Sequence, residues 1–339
     1  MADLQTSGRA VWFDAARSVE LRDDPVRDPA ADEVGVSAIC SLISPGTEML
    51  VYRGEVAAED DLGLETCEGS FGFPIKYAYQ VVGRVERAGD ASGFAPGELV
   101  FARHPHQERF TMRANPDLIF KLPPDLDPRR AVFANLLDVA LTVALDVPVR
   151  FGDCVVVYGQ GIVGSFCAQL ARRTAGSLIV VDPIERRRKL ALSWGADLAL
   201  APDEAPAAIA RASDGRGADI SIEATGAPPA LQAAIDGSGQ EATVVAVSYF
   251  GTRLVPLLLA PAFHYRRLRI VSSMVAGLGS GLEPRWSFAR RIGTAFDLLG
   301  DDRLVAPVTH AFELGEAAAA YELIDTAPEQ TLGVLLEYP

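Results

Sequence analysis

Histidine and cysteine, the side chains that most often hold transition metals, are scarce: the 339 residues include four of each. Cys40, Cys67, Cys154 and Cys167 are scattered without a Cys-x-x-Cys pair, which excludes the usual structural zinc signature and suits a reducing compartment. Cations are in deficit too. Against 45 Asp and Glu stand 31 Lys and Arg, a formal net charge of −14 with a pI near 4.8. That balance excludes nucleic acid as an expected partner, because such sites need a cationic footprint. The local ERRRK run at 185–189 reads instead as the solvated face of a helix. No apolar run reaches the roughly 18–20 residues of a membrane span, and LVPLLLAPAF, the longest candidate, is broken by prolines. Met1 to Ala10 has neither a charged start nor an apolar stretch, so no signal peptide is expected and the expected location is the cytoplasm.

What is present is enough for two domains, since 339 residues exceed one ordinary hydrophobic core. From residue 10 to about 120, short alternating pieces such as EVGVSAIC, YQVVGRVERAG and ELVFARH are separated by Gly, Pro and Asp clusters, a β-rich pattern. Beyond PPDLDP at 123–128 the texture becomes helical and then alternates apolar strands with amphipathic helices. Strands are expected at CVVVYG, SLIVVD, DLALA, DISIEA, TVVAVS and LRIVSS, with helices around 162–174, 184–194, 203–212 and 228–236. Such continuous apolar strands suit a parallel sheet covered on both faces. The last part, a helix at RWSFARRIGTAFDLLG followed by VTHAFEL and TLGVLLEYP, has the β-rich texture again and is expected to fold back onto the first part. The fold class is therefore α/β, with domains at 1–125 plus 275–339 and at 126–274.

The most specific motif is VVVYGQGIVGSFCAQLARR, in which Gly159, Gly161 and Gly164 form G-x-G-x-x-G between an apolar strand and a helix. The first glycine permits the tight turn, the second lets a pyrophosphate approach the backbone, and the third allows close helix-to-strand packing. Ile162 and Val163 open the helix and offer free N–H groups to the anion. Asp182, 18 residues beyond Gly164 at the end of the next strand, can accept from both adenosine ribose hydroxyls and would repel a 2′-phosphate. NAD is thus the expected cofactor. Arg186 and Arg187 keep NADP open, and Asp182 as a cap of the following helix is the structural alternative. Ala224, Thr225 and Gly226 of EATG, and Val247 and Ser248 of VSYF, end strands at the sheet's carboxyl edge, where ligands bind in this architecture.

With the loop read, the chain resembles the medium-chain dehydrogenase/reductase superfamily from VGVSAICSLISPGTE through the dinucleotide loop, GADLAL and EATG to THAFELGEAAAAYELI. The resemblance implies a GroES-like catalytic domain made of the first part and the tail, a Rossmann domain between them, and a homodimer as the expected assembly. SLISPGTEMLVYRGE is most similar to the corresponding segment of bacteriochlorophyllide dehydrogenases. Where zinc-type members carry metal ligands, this chain has Pro45, Tyr79 with Gln80, and Asn135, none of them a competent zinc ligand. No zinc is expected, and Cys40 reads as a core thiol.

His104 and His106 flank Pro105 in FARHPHQERF, where the family's catalytic cleft begins. Substrate contact or proton transfer is the preferred reading, with structural imidazoles next. A relocated metal set is the third, since residues i and i+2 of an extended segment point the same way and Cys67 or Glu68 can complete it. Without a metal, the resemblance makes Thr47 the hydroxyl that relays the proton and Glu48 the acid behind it. Tyr79 stands in the vacated histidine position as a donor to the carbonyl oxygen, and either histidine links the site to solvent. Lys76 and Tyr77 are candidates for the same cleft wall, or else lie on a surface strand. The expected activity is NAD(H)-dependent, zinc-independent interconversion of a secondary alcohol and a ketone, with specialised metabolism as the expected setting. An NADPH-dependent enoyl or quinone reductase, a zinc alcohol dehydrogenase with relocated ligands, and a nucleotide sensor without turnover are the alternatives.

Overall fold

The computed structural model describes residues 6–277, 281–282 and 285–339, so the leader reading of Met1 to Ala10 falls in part outside the described residues. The chain divides into two compact units, Met1–Asn135 with Phe288–Pro339, and Leu136–Ser287.

In the first unit the central strand Glu33–Ile43 is buried along most of its length, as its run EVGVSAICSLI requires. It pairs antiparallel with Val81–Ala88, with Arg109–Arg113 and with the closing strand Val334–Glu337, so the tail completes this sheet. His310–Glu313 lies parallel beside the closing strand. A smaller sheet joins Thr6–Ala15 to Ser18–Val26 and to the short pairs Ile75–Lys76 and Glu68–Gly69. Phe13, Ile43, Met49, Ile75, Tyr321 and Leu336 share one core, which the helices Thr47–Arg53 and Ala317–Thr326 help to close. This is the β-rich GroES-like unit.

The second unit is a parallel sheet in the order Leu198–Leu200, Ser177–Val181, Cys154–Tyr158, Ala218–Glu223, Ser238–Ala246, Arg269–Ser272. All six strands lie where the apolar runs predict them. The helices Ile162–Ala171, Glu185–Ser193, Ala205–Ala212 and Pro228–Gly237 come between them in the chain. Val155, Val156, Val157, Ile179 and Val180 are fully buried, the pattern of a sheet covered on both faces. Strand order reverses between Cys154–Tyr158 and Ala218–Glu223, which makes their carboxyl ends the crevice of a Rossmann fold. Among the described residues no helix is long and apolar enough to cross a membrane.

Candidate active site and cofactor cradle

In the Rossmann unit each glycine of the loop meets a different constraint. Gly159 has φ +93, and a Cβ there would stand 2.7 Å from Thr225 Cγ2 and 2.9 Å from the Ala224 carbonyl. On Gly164 a Cβ would come within 2.0 Å of the Gly159 carbonyl oxygen, so the helix sits against the turn. Gly161 has nothing within 4 Å of its Cβ position and no side-chain cap on the helix that starts at Ile162. That leaves open space over unpaired N–H groups, which fits a pyrophosphate.

Asp182 is buried beside this loop. Its Oδ2 accepts from the Gln160 N–H at 2.7 Å and its Oδ1 from the Ile184 N–H at 2.8 Å. The carboxylate therefore ties the glycine turn to the start of the next helix, a role sequence spacing alone does not announce. Its remaining lone pairs can still accept two ribose hydroxyls. The Arg187 guanidinium lies 3.9 Å from Oδ2. At the neighbouring strand ends, Ser248 Oγ accepts from the Gly226 N–H at 2.8 Å.

In the GroES-like unit, Glu48 is fully buried and three donors converge on it. Its Oε1 accepts from His106 Nε2 at 2.9 Å and from the Tyr321 hydroxyl, and its Oε2 from the Ser44 N–H at 3.0 Å. The other ring nitrogen of His106, Nδ1, lies 2.7 Å from the Ser41 hydroxyl. Ser41 in turn bonds the Tyr338 hydroxyl at 2.8 Å. On the other side of Glu48 the turn 44–47 leads into the helix Thr47–Arg53. Tyr79 donates to Ser44 Oγ at 2.8 Å. Burial pushes the Tyr79 hydroxyl up to about 12; the Ser44 bond opposes this, the Glu48 charge adds to it, and Thr47 and Arg103 oppose it. Tyr79 is thus a donor, not a base, near neutral pH.

Glu48, His106 and, through Ser44, Tyr79 are brought into one hydrogen-bonded group, with Thr47 at the start of the helix beside it. His104 is not. Its ring stacks on Phe110 at 3.8 Å and its Nδ1 is 2.9 Å from the Pro105 carbonyl. The segment 103–106 is not a strand, so the two imidazoles take separate partners. Both are buried, and neither reaches solvent directly. Lys76 is no surface residue: its ammonium is enclosed by Asp24 at 2.7 Å, Glu68 at 2.6 Å and the Gln107 side-chain oxygen Oε1 at 3.4 Å. Glu68 is therefore engaged by a cation, while Cys67 is buried and its thiol is pushed up to about 12 by that burial. Among the described residues no three His, Cys, Asp or Glu side chains are grouped to hold a metal. The side chains at the family's ligand positions do not fit zinc either. Tyr321, Tyr338, Ser41 and Ser44 had no signal in the sequence.

The His104 environment carries a testable pH effect. Loss of hydration pushes its ring down from 6.5 to about 3, against the Pro105 carbonyl bond, which raises it. The unfolded chain then binds a proton that the folded chain refuses between those values, so stability falls as pH drops through that window. At ~1.4 kcal/mol per pH unit, this site removes about 2 kcal/mol between pH 7 and 5. Denaturant unfolding of His104→Phe, which keeps an aromatic plate on Phe110, should show that much less acid loss. Parallel curves for the two proteins would contradict it.

A family model described as zinc-binding dehydrogenase matches residues 163–288. The chain is 31% identical over 262 residues to D-guloside 3-dehydrogenase of Shigella flexneri, covering 74% of each chain. It is 30% identical over 92 residues to 2-desacetyl-2-hydroxyethyl bacteriochlorophyllide A dehydrogenase of Cereibacter sphaeroides, 27% of this chain and 26% of that one. Among solved structures, a short chain alcohol dehydrogenase from Escherichia coli CFT073 complexed with NADH shares the fold, with TM-score 0.77 over 98% of this chain and 99% of that one at 18% identity. With the glycine loop, the parallel sheet and the β-rich unit already in place, these matches make the chain a member of the zinc-type alcohol dehydrogenase-like branch of the medium-chain dehydrogenase/reductase superfamily, and an oxidoreductase.

Proposed function

We propose that the protein is an NAD(H)-dependent, zinc-independent dehydrogenase that interconverts a secondary alcohol and a ketone on a polyhydroxylated ring, working as a cytoplasmic homodimer in specialised metabolism. The observation that carries this reading is the cluster of hydroxyls from Ser44, Thr47 and Tyr79 over the buried, triply bonded Glu48. It supplies donors where Pro45, Gln80 and Asn135 are not competent zinc ligands. Asp182 favours a cofactor with a free ribose 2′-hydroxyl. The ring substrate follows from the relative named for a D-guloside.

When bound in the cradle of Gly159, Gly161 and Gly164, the nicotinamide cofactor supplies or takes the hydride. Tyr79 would turn its single O–H from Ser44 Oγ to the reacting oxygen and stabilise the charge that develops there. Thr47 relays the hydroxyl proton from the alcohol oxygen to solvent on oxidation, and from solvent to that oxygen on reduction. Glu48 holds the turn 44–47 in place, and His106 and Tyr321 hold Glu48.

The test is a substrate panel followed by nicotinamide absorbance: D-gulosides, other glycosides and cyclitols with NAD or NADP, then ketones and enones with NADH or NADPH. The proposal expects NAD-linked oxidation of a ring hydroxyl with the ketone as product. Turnover confined to NADPH-linked reduction of a conjugated double bond would overturn it.

A further inference from the structure

The cofactor cradle contains two acceptor oxygens that the described protein atoms leave unmet. Gln160 is buried, its amide donates to the Gly159 carbonyl at 2.9 Å, and its Oε1 has no partner. Glu223 is buried at the end of Ala218–Glu223. Its Oε1 accepts from the Thr225 N–H and hydroxyl, each at 2.6 Å, and from the Gly226 N–H at 2.9 Å, while Oε2 accepts nothing. Neither side chain can rotate away from these bonds without releasing the turn it holds. A buried acceptor left without a donor is costly.

Both residues flank the first glycine of the loop. Gln160 follows Gly159 in the chain, and the turn that Glu223 clamps presses on Gly159 through Ala224 and Thr225. The two unmet acceptors thus belong to the carboxyl ends of the two strands between which strand order reverses. A ligand that completes them must bring hydrogen-bond donors. A pyrophosphate has acceptors only, whereas ribose hydroxyls donate.

We propose that Gln160 and Glu223 form a donor-reading subsite that accepts hydrogen bonds from ribose hydroxyls of the bound dinucleotide. Glu223 is also a positioning residue for the Thr225–Gly226 turn. This rests on the nicotinamide cofactor of the proposed function, but it concerns binding and not turnover.

NADH binding by fluorescence titration tests it without a known substrate. Gln160→Met removes the acceptor, together with the amide bond to the Gly159 carbonyl, at similar length, and Glu223→Gln keeps a carbonyl for the three clamping donors while turning the other oxygen into a donor. Each should weaken NADH by about tenfold, the loss of one good hydrogen bond. The cofactor-free variants should still unfold cooperatively, with a small loss of melting temperature, because Gln160→Met gives up the amide bond to the Gly159 carbonyl and Glu223→Gln puts an NH2 donor where the unmet oxygen was. ADP, which carries the adenosine ribose alone, titrated in parallel locates the subsite: a shared loss supports the adenosine-side ribose, a loss with NADH alone the nicotinamide side. NADH affinity within about twofold of the parent in both variants, which is what two acceptors satisfied by water predict, would overturn the inference. If Glu223→Gln does not fold, Gln160→Met decides alone. A parent protein that binds neither NADH nor NADPH would instead overturn the cofactor reading on which the inference rests.

Discussion

Tyr79→Phe is expected to lower turnover by roughly 10²- to 10³-fold while leaving NADH affinity unchanged, the loss typical of removing one preorganised donor at a developing oxyanion. The ring remains in place, edge-on to Tyr77 with centroids 5.9 Å apart, so the fold should not change. A companion measurement fixes the sign of the electrostatics. Burial holds the Tyr79 hydroxyl near 12 and the Glu48 charge contributes to that rise. Glu48→Gln removes the charge, so the alkaline limb of the turnover profile should move to lower pH. Steady-state kinetics across pH check both. Unchanged turnover in Tyr79→Phe would remove this residue from the mechanism.

The largest expected loss of stability comes from Glu48→Leu, at about 3–5 kcal/mol, the combined effect of leaving three buried donors without an acceptor at about 1–3 kcal/mol each. The substitution leaves His106 Nε2, the Tyr321 hydroxyl and the Ser44 N–H without their acceptor. Tyr321→Phe should cost less, because its ring keeps its contacts with Phe13 at 5.1 Å and Tyr52 at 5.3 Å. The two losses should not add in the double variant, since both remove the same bond. Chemical denaturation measures all three proteins. A Glu48→Leu cost under about 1 kcal/mol would show that the carboxylate does not hold the site together.

The Rossmann half was legible because its signals are local. A strand, a G-x-G-x-x-G turn and a helix follow one another within 20 residues, and each glycine answers to a neighbour close in sequence or in the adjacent strand. The catalytic half was legible only in part. Thr47, Glu48 and Tyr79 came from family resemblance. Tyr321 and Tyr338 reach Glu48 and Ser41 across 273 and 297 residues, a separation no periodicity reveals. The pairing of His104 with His106 assumed an extended backbone, and the irregular segment around Pro105 sends the rings to different partners. The burial of Lys76 escaped notice for the same reason as the tyrosines, since Asp24 is 52 residues away in sequence.

The central claim is that this chain performs alcohol–ketone chemistry with hydroxyl donors although the family model it matches is named for zinc. Elemental analysis of untagged protein purified without chelators, paired with turnover before and after chelation, tests it most directly. The account predicts zinc far below one equivalent per chain and turnover that survives chelation. Stoichiometric zinc whose removal abolishes turnover, and whose return restores it, would contradict the account.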